Sequence, residues 1–393
     1  MNILQVISYF YPAWSYGGPP RIVYELCKKL VKRGHKVTVF TTDAFNAQNR
    51  VKETQEIADG IEVRRFRNLS NYIAFHHRIF LSPGMPAVLR REIRNYDILH
   101  LNDFRTLQNL TAFNNAYKFG VPYVLQANGS LPNIISKQRL KSTFDILFGR
   151  RILHNATKLI AVNPTEVEQY KSYGIDPKRI SLIPYGINLE EFEKLPPRGN
   201  FREKYGLPMK DKVILFLGRL HKIKGIDLLI NAFAGITKDF SNIKLVVAGP
   251  DDGFLPELRK LVAELELSEK VIFTGPLYGE DKLAAYVDAD VYALTSSYEI
   301  FGISILEALS CGTPVVITDR CGIADIIKDK AGLVVPYDVK LLQDSLRKIL
   351  QDELKRKQYA RNGKTLVSKN FCWCMIAEKM EKVYQECLDD ENT

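Results

Sequence analysis

The chain has 393 residues, of which 46% are hydrophobic and 25% charged, a length too great for one compact core and a composition that excludes a disordered chain. No apolar run reaches the about eighteen residues that a membrane-spanning helix needs. The net charge of +10 lies in the first half: residues 1–200 hold 28 Lys+Arg against 16 Asp+Glu, so an anionic partner such as a membrane surface is weighed there against a solvated basic face.

The first segment, "MNILQVISYFYPAW", has no basic flank and alternates, so it reads as a strand rather than a signal peptide and predicts a cytoplasmic protein. Six further strands follow in the first half: "KVTVFTTD", "IEVRRFR", "DILHLN", "PYVLQAN", "TKLIAVN" and "ISLIPYG". Helical patterns such as "RIVYELCKKLVKRG" lie between them. The loop after the first strand carries Gly17 and Gly18, with Pro19 and Pro20 suited to a helix start. Paired glycines let a backbone approach a phosphate closely.

The stretch "EEFEKLPPRGNFREKYGLP", rich in charge, Pro and Gly, predicts a boundary between domains. Beyond it the alternation restarts with six strands: "KVILFLGRL", "IKLVVAGP", "KVIFTG", "DVYALTSS", "PVVITDRC" and "AGLVVPY". The prediction is an α/β protein: two doubly wound, Rossmann-like parallel-sheet domains facing across a cleft, with ligands at the carboxyl ends of the strands.

Several stretches of the second half can do chemistry. In "LGRLHKIKGIDLL", Arg219 follows a strand and Lys224 precedes a helix, a placement that suits a diphosphate clamp. Asp288-Ala289-Asp290 precedes a strand instead of ending one, so it reads as a helix-to-strand turn and not as a metal-binding D-x-D. In "SSYEIFGISILEALSCG", Glu299 lies in a loop after a strand and Glu307 near the start of a helix. Ser304 and Glu307 also fit an S-x-x-E capping box, a purely structural account of Glu307. That account leaves Glu299 unexplained, and two carboxylates beside a helix N-terminus suit a ligand with hydroxyls and a phosphate. The six cysteines show no CxxC pair and no zinc spacing, and Cys372-Trp373-Cys374 reads as apolar filling on a helix. The tail places Trp373, Ile376, Met380 and Val383 at helical spacing, able to pack on either domain. No nucleic-acid motif is present, so no nucleic-acid partner is expected.

Taken together, these stretches resemble the GT-B glycosyltransferases, specifically family 4 of retaining enzymes that use nucleotide sugars. Glu299 and Glu307 match the family's E-x7-E element, and "GRLHKIKG" its G-R-x4-K-G element. "IPYGINLEEF" resembles its domain-crossing segment, and "YGGPPR" its N-terminal glycine loop. The resemblance implies a GT-B fold with an acceptor-side domain over 1–192, a nucleotide-sugar domain over 193–370 and a C-terminal helix over 371–393 that returns to the first domain. It further implies that Arg219 and Lys224 neutralise the donor diphosphate, that Glu307 binds the ribose and that Glu299 holds the transferred sugar. The amides around Phe301, Gly302 and Ile303 would meet sugar and phosphate, with Gly17 and Gly18 on the donor as well. No cofactor and no metal is expected.

Where many members place a His facing the sugar, this chain has "VLQANGS", with Asn128 in that place. Asn exchanges hydrogen bonds with a hydroxyl but cannot take up a proton. His100 and Asp103 in "HLNDFR" are the acceptor-side candidates that could supply that role. Tyr185 and Asn188 stand where the domain-crossing segment usually has Asn and Asp. The basic stretch "NIISKQRLKSTFDILFGRRILHN", with Lys137, Arg139, Lys141, Arg150 and Arg151, suits an anionic membrane surface or an ordinary exposed helix.

The resemblance therefore implies a metal-independent enzyme moving a hexosyl residue, with retention, from a nucleotide diphosphate sugar to a glycan or lipid-linked acceptor. Such chemistry belongs to cell-surface polysaccharide or glycoconjugate synthesis, in the cytoplasm or peripherally on the inner face of the membrane. A sugar-nucleotide 2-epimerase and a non-catalytic nucleotide-sugar-binding subunit are the alternatives.

Overall fold

The structure, a computed structural model, describes residues 1–132 and 138–389. It divides into two compact units, Met1–Gly186 joined by the segment from Trp373 onward, and Ile187–Cys372. These divisions lie at 186/187 and 372/373, against the expected 192/193 and 370/371.

The first unit holds β1 (Asn2–Val6), β2 (Lys36–Thr42), β3 (Gln55–Ala58), β4 (Ile61–Phe66), β5 (Ile98–Asn102), β6 (Tyr123–Gln126), β7 (Lys158–Ala161) and β8 (Ile180–Leu182). They form one sheet in the order β3-β4-β2-β1-β5-β6-β7-β8. Seven strands were expected, and β3 is the addition. It pairs antiparallel with β4 and exposes Ile57, so it carries no apolar face for a pattern to reveal. Its turn, Asp59-Gly60, has positive φ at both residues (49° and 80°), as a tight hairpin requires. The remaining pairings are parallel, and β5 is buried along its whole length, as strands covered on both faces are.

The second unit holds β9 (Lys212–Leu217), β10 (Ile243–Ala248), β11 (Val271–Gly275), β12 (Val291–Leu294), β13 (Val315–Thr318) and β14 (Gly332–Val335). All pair parallel, in the order β11-β10-β9-β12-β13-β14. In each sheet the strand order reverses beside the first strand of its unit, between β1 and β5 and between β9 and β12. Crevices at the carboxyl ends of such strand pairs are where doubly wound sheets bind ligands.

The Pro- and Gly-rich boundary stretch is folded into the second unit, not strung out as a linker. Asp288 accepts hydrogen bonds from the amides of Gly199 (2.6 Å), Phe201 (2.9 Å) and Arg202 (3.0 Å). The buried Arg202 guanidinium donates to the carbonyls of Pro208, Asp211 and Asp288 and to Asp290. Both carboxylates of the D-x-D are consumed in this clamp.

In the first unit the Trp373–Asp389 helix buries Trp373, Ile376, Ala377, Met380 and Tyr384 against β1 and the Gly18–Lys32 helix. Trp373 lies flat on Gly186, where an added Cβ would stand 2.6 Å from the ring. One expectation fails here: Cys372 and Cys374 are disulfide-bonded, not apolar filling. Trp373 takes the buried position between them, which leaves Cys372 half-buried and Cys374 exposed. Cys27, Cys311, Cys321 and Cys387 are buried and form no disulfide.

Two stability predictions follow from these contacts. Gly186→Ala overpacks the Trp373 ring and should cost about 1–3 kcal/mol in urea unfolding followed by tryptophan fluorescence. Asp288→Ala leaves the Gly199, Phe201 and Arg202 amides without their acceptor and should cost about 1–3 kcal/mol.

Candidate active site

In the second unit the local chain path brings Lys224 and Glu299 together. Lys224 ends a single turn (Lys222–Lys224) after β9, and Gly225 follows with φ 60° to start the Ile226–Ile236 helix. A Cβ on Gly225 would stand 2.0 Å from the Thr295 carbonyl, so only glycine lets this loop lie against the end of β12. The Thr295 hydroxyl donates to the Gly225 carbonyl (2.7 Å), and the Ser297 amide to the Ile223 carbonyl (2.8 Å). Glu299 is held in turn by its amide to the Arg320 carbonyl (3.1 Å) and by its carbonyl, which accepts from Gly322 (2.8 Å). The result is a half-buried ion pair between Lys224 Nζ and Glu299 Oε2. Arg219, placed one loop earlier, is half exposed and pairs with Asp252.

Glu307 lies in the second turn of the Ile303–Cys311 helix. The capping box is not formed. The N-cap is Gly302, with φ 85° and no side chain to offer, and the Ser304 hydroxyl instead accepts from Tyr292 (2.7 Å). Glu307 accepts from Lys282 Nζ (2.7 Å) and the Tyr286 hydroxyl (2.9 Å). Lys282 and Tyr286 are one turn apart on the Gly279–Asp288 helix, and their i, i+4 spacing was the overlooked signal. Glu307 therefore reaches out from the helix side, and no side chain of the N-cap covers the N-terminal turn. Phe301 is buried, its ring edge-on to Phe371 at 5.9 Å.

In the first unit, Gly17 caps the Gly18–Lys32 helix at φ 107°, a conformation that favours glycine, and Pro19 and Pro20 open the helix. At the carboxyl ends of β5 and β6, Asp103 and Asn128 both adopt left-handed backbone, φ 67° and 52°. Asx residues tolerate that region better than most. The Tyr185 hydroxyl donates to Asn128 Oδ1 (2.9 Å), and the Tyr9 hydroxyl to Asp103 Oδ2 (3.5 Å). Burial pushes the Asp103 carboxyl up to about 6, against the lowering effect of Asn128, Tyr9 and Arg78. Arg78 itself lies over the Tyr9, Tyr16 and Phe75 rings.

His100 is a correction. It is fully buried, its Nδ1 lies 2.7 Å from the Tyr384 hydroxyl, and burial lowers its pKa to about 3. It is a core histidine seated against the C-terminal helix and cannot touch an acceptor. Asp103 and Asn128 lie at neighbouring strand ends, and Tyr9 and Arg78 are members that sequence reasoning missed. Tyr9 lies just past β1 in an aromatic run, where composition does not separate site from core.

The basic stretch forms helix from Gln138 to Asn155, with a π-helical turn over Asp145–Gly149. Lys137 lies outside the described residues. Leu140, Ile146 and Leu147 are 68%, 74% and 57% exposed, beside exposed Arg139, Arg150 and Arg151. Among the described residues no helix is long and apolar enough to cross a membrane, and no group of three or more His, Cys, Asp or Glu could hold a metal.

The Glycosyltransferase Family 4 domain matches residues 16–191, and the Glycosyl transferases group 1 domain matches residues 197–366. An uncharacterized glycosyltransferase of Methanocaldococcus jannaschii is 30% identical, over 96% of this chain and 97% of its own length. The solved sucrose-phosphate synthase of Thermosynechococcus elongatus superposes with a TM-score of 0.81 at 24% identity, over 99% of this chain and 100% of its own. HepE of Anabaena, solved in complex with UDP-glucose, superposes with a TM-score of 0.75 at 20% identity, over 98% of this chain and 100% of its own. At those identities the two structures show the fold alone, GT-B; with the archaeal relative aligned end to end and both halves matched, the chain belongs to the group 1 glycosyltransferases and is a transferase enzyme.

Proposed function

We propose that the protein is a retaining hexosyltransferase that takes its sugar from a nucleotide diphosphate donor, with UDP-glucose as the first donor to test. The observation that carries this is the half-buried Lys224–Glu299 pair beside the N-terminus of the Ile303–Cys311 helix. A donor diphosphate competes for Lys224, and the carboxylate so released turns to the sugar hydroxyls. Arg219 exchanges Asp252 for phosphate in the same way, and Glu307, braced by Lys282 and Tyr286, accepts from the ribose hydroxyls. The amides at Phe301, Gly302 and Ile303 complete the anion contacts. Gly17 and Gly18 are proposed to let their backbone approach a phosphate closely.

A nucleoside diphosphate is a good leaving group, so what the protein must supply is stabilisation of the charge that develops on it. As the sugar C1–O bond to the diphosphate breaks, the acceptor oxygen bonds C1 on the same face and its proton passes to a phosphate oxygen. This reading gives no step to a metal. Asn128 and Asp103 serve the sugar-hydroxyl and acceptor side, since both offer polar atoms at the strand ends of the first unit.

The acceptor is proposed to be a glycan or a lipid-linked sugar used in building cell-surface polysaccharide or glycoconjugate. Exposed Leu140, Ile146 and Leu147 among arginines suit an anionic membrane surface, where apolar side chains enter and cations meet headgroups. These residues support the reading that the enzyme works peripherally on the inner face of the membrane.

Incubation with a panel of nucleotide sugars, followed by nucleotide release and product analysis, tests the reading. Glu299→Ala should lower turnover by about 10²-fold, the cost of a substrate misplaced by about 1 Å, and EDTA should leave the rate unchanged. Epimerised donor would favour the 2-epimerase, binding without turnover the non-catalytic subunit, and inverted product would exclude retention. Flotation with anionic vesicles should recover the protein at low salt, less at high salt, and not after Ile146→Glu with Leu147→Glu; salt-independent absence from the vesicle fraction sinks the membrane assignment.

A further inference from the structure

Asn128 stands in the turn that follows β6, and the position of its amide depends on whatever holds that turn. Asn128 and Gly129 are consecutive left-handed residues, φ 52° and 81°. The amides on either side of Asn128 are both tied to one helix, Pro164–Ser172. The Ala127 amide donates to the Tyr170 hydroxyl (3.1 Å), and the Gly129 amide to Glu166 Oε1 (2.9 Å). Glu166 and Tyr170 are one helical turn apart, so they present two acceptors to the same loop.

Glu166 is completely buried. Its Oε2 accepts from the Val162 amide (2.9 Å), and its own amide donates to Asn163 Oδ1 (2.8 Å). An ordinary capping box would account for the Asn163 bond and would return the carboxylate to the N-cap's own amide. Here the carboxylate also reaches beyond the cap. It spends one oxygen on Val162 and the other on a loop from a different strand, so capping alone does not explain it.

We propose that Glu166 is a positioning residue for the transfer reaction: its carboxylate, through the Gly129 amide, holds the Asn128 loop in the conformation that presents Asn128 to a sugar hydroxyl. This rests on the role given above to Asn128.

The chemistry of the carboxyl makes the device readable. An ionised carboxylate only accepts, and here it faces two N–H donors; once protonated, one oxygen carries a proton and accepts from an amide N–H more weakly. Burial raises the Glu166 pKa to about 7, with the Val162 and Gly129 amides holding it back. The titratable group facing it is Tyr170 on its own helix, whose pKa is pushed well above its ordinary value, so the phenol stays neutral. Below about 7 the carboxyl is protonated and one of its two ties, to Gly129 or to Val162, is weakened; above it both form. Asp103, titrating near 6 on the neighbouring strand end, is a separate group with its own variant.

The full-length protein would be followed from pH 5.5 to 8.5 by two readouts, the Gly129 and Val162 amide resonances and UDP release from UDP-glucose. In the wild type both resonances should move together with a midpoint near 7, and turnover should rise through the same midpoint. Glu166→Gln should abolish both titrations and hold turnover at about a tenth of the wild-type rate at pH 8, flat with pH, because the amide mimics the protonated acid. Asp103→Asn should keep the step near 7. Amide resonances that do not titrate, or wild-type turnover at pH 8 in a folded Glu166→Gln, would overturn the proposal. Wild-type turnover in Asn128→Ala would overturn the role of the loop itself, which separates failure of that reading from failure of Glu166.

Discussion

Lys224 and Glu299 are 75 positions apart in the chain, and each is the other's counter-charge in a half-buried setting. Neither would be cheap to leave alone there. Their meeting depends on Gly225, because the loop that carries Lys224 must lie flat against the Thr295 carbonyl. It depends equally on the tether of Glu299 to the segment after β13, which keeps the carboxylate from swinging away. In the proposed function the pair is a stored arrangement of charge for a diphosphate and a sugar to take over, each partner passing from the other to the ligand.

The same principle recurs around it. Arg219 is occupied by Asp252 and Glu307 by Lys282 and Tyr286, so charged groups of the proposed donor site have protein partners in the free enzyme. Exchange of one charged partner for another costs less than uncovering a bare charge. The carboxylates of Asp288 and Asp290, by contrast, are held in a clamp with Arg202 and four amides.

The first unit is built differently. Its polar groups sit on two left-handed Asx residues at neighbouring strand ends, Asp103 and Asn128, supported by tyrosine hydroxyls in place of ion pairs. Such a site suits hydroxyl recognition, and it needs its backbone held from behind. The Pro164–Ser172 helix does this with one carboxylate and one phenol.

The strand alternation, the two sheets and the family were legible because burial on both faces of a parallel sheet writes continuous apolar runs, and because loops that meet a phosphate are restricted to Gly, Lys and Arg. β3 was not legible, since an edge strand with an exposed apolar residue leaves no face to read; nor was the disulfide at Cys372 and Cys374, where the burial of Trp373 between them sets which way the sulfurs point. Sequence by itself determined which residue types stand at the strand ends. Only the tertiary structure decided which of them are exposed to chemistry: it took His100 into the core against Tyr384, spent Asp288 and Asp290 on Arg202, and brought Glu166 under the Asn128 loop. The physical reason is that a side chain's protonation, partners and reach are set by neighbours distant in the chain, which spacing along a sequence does not record.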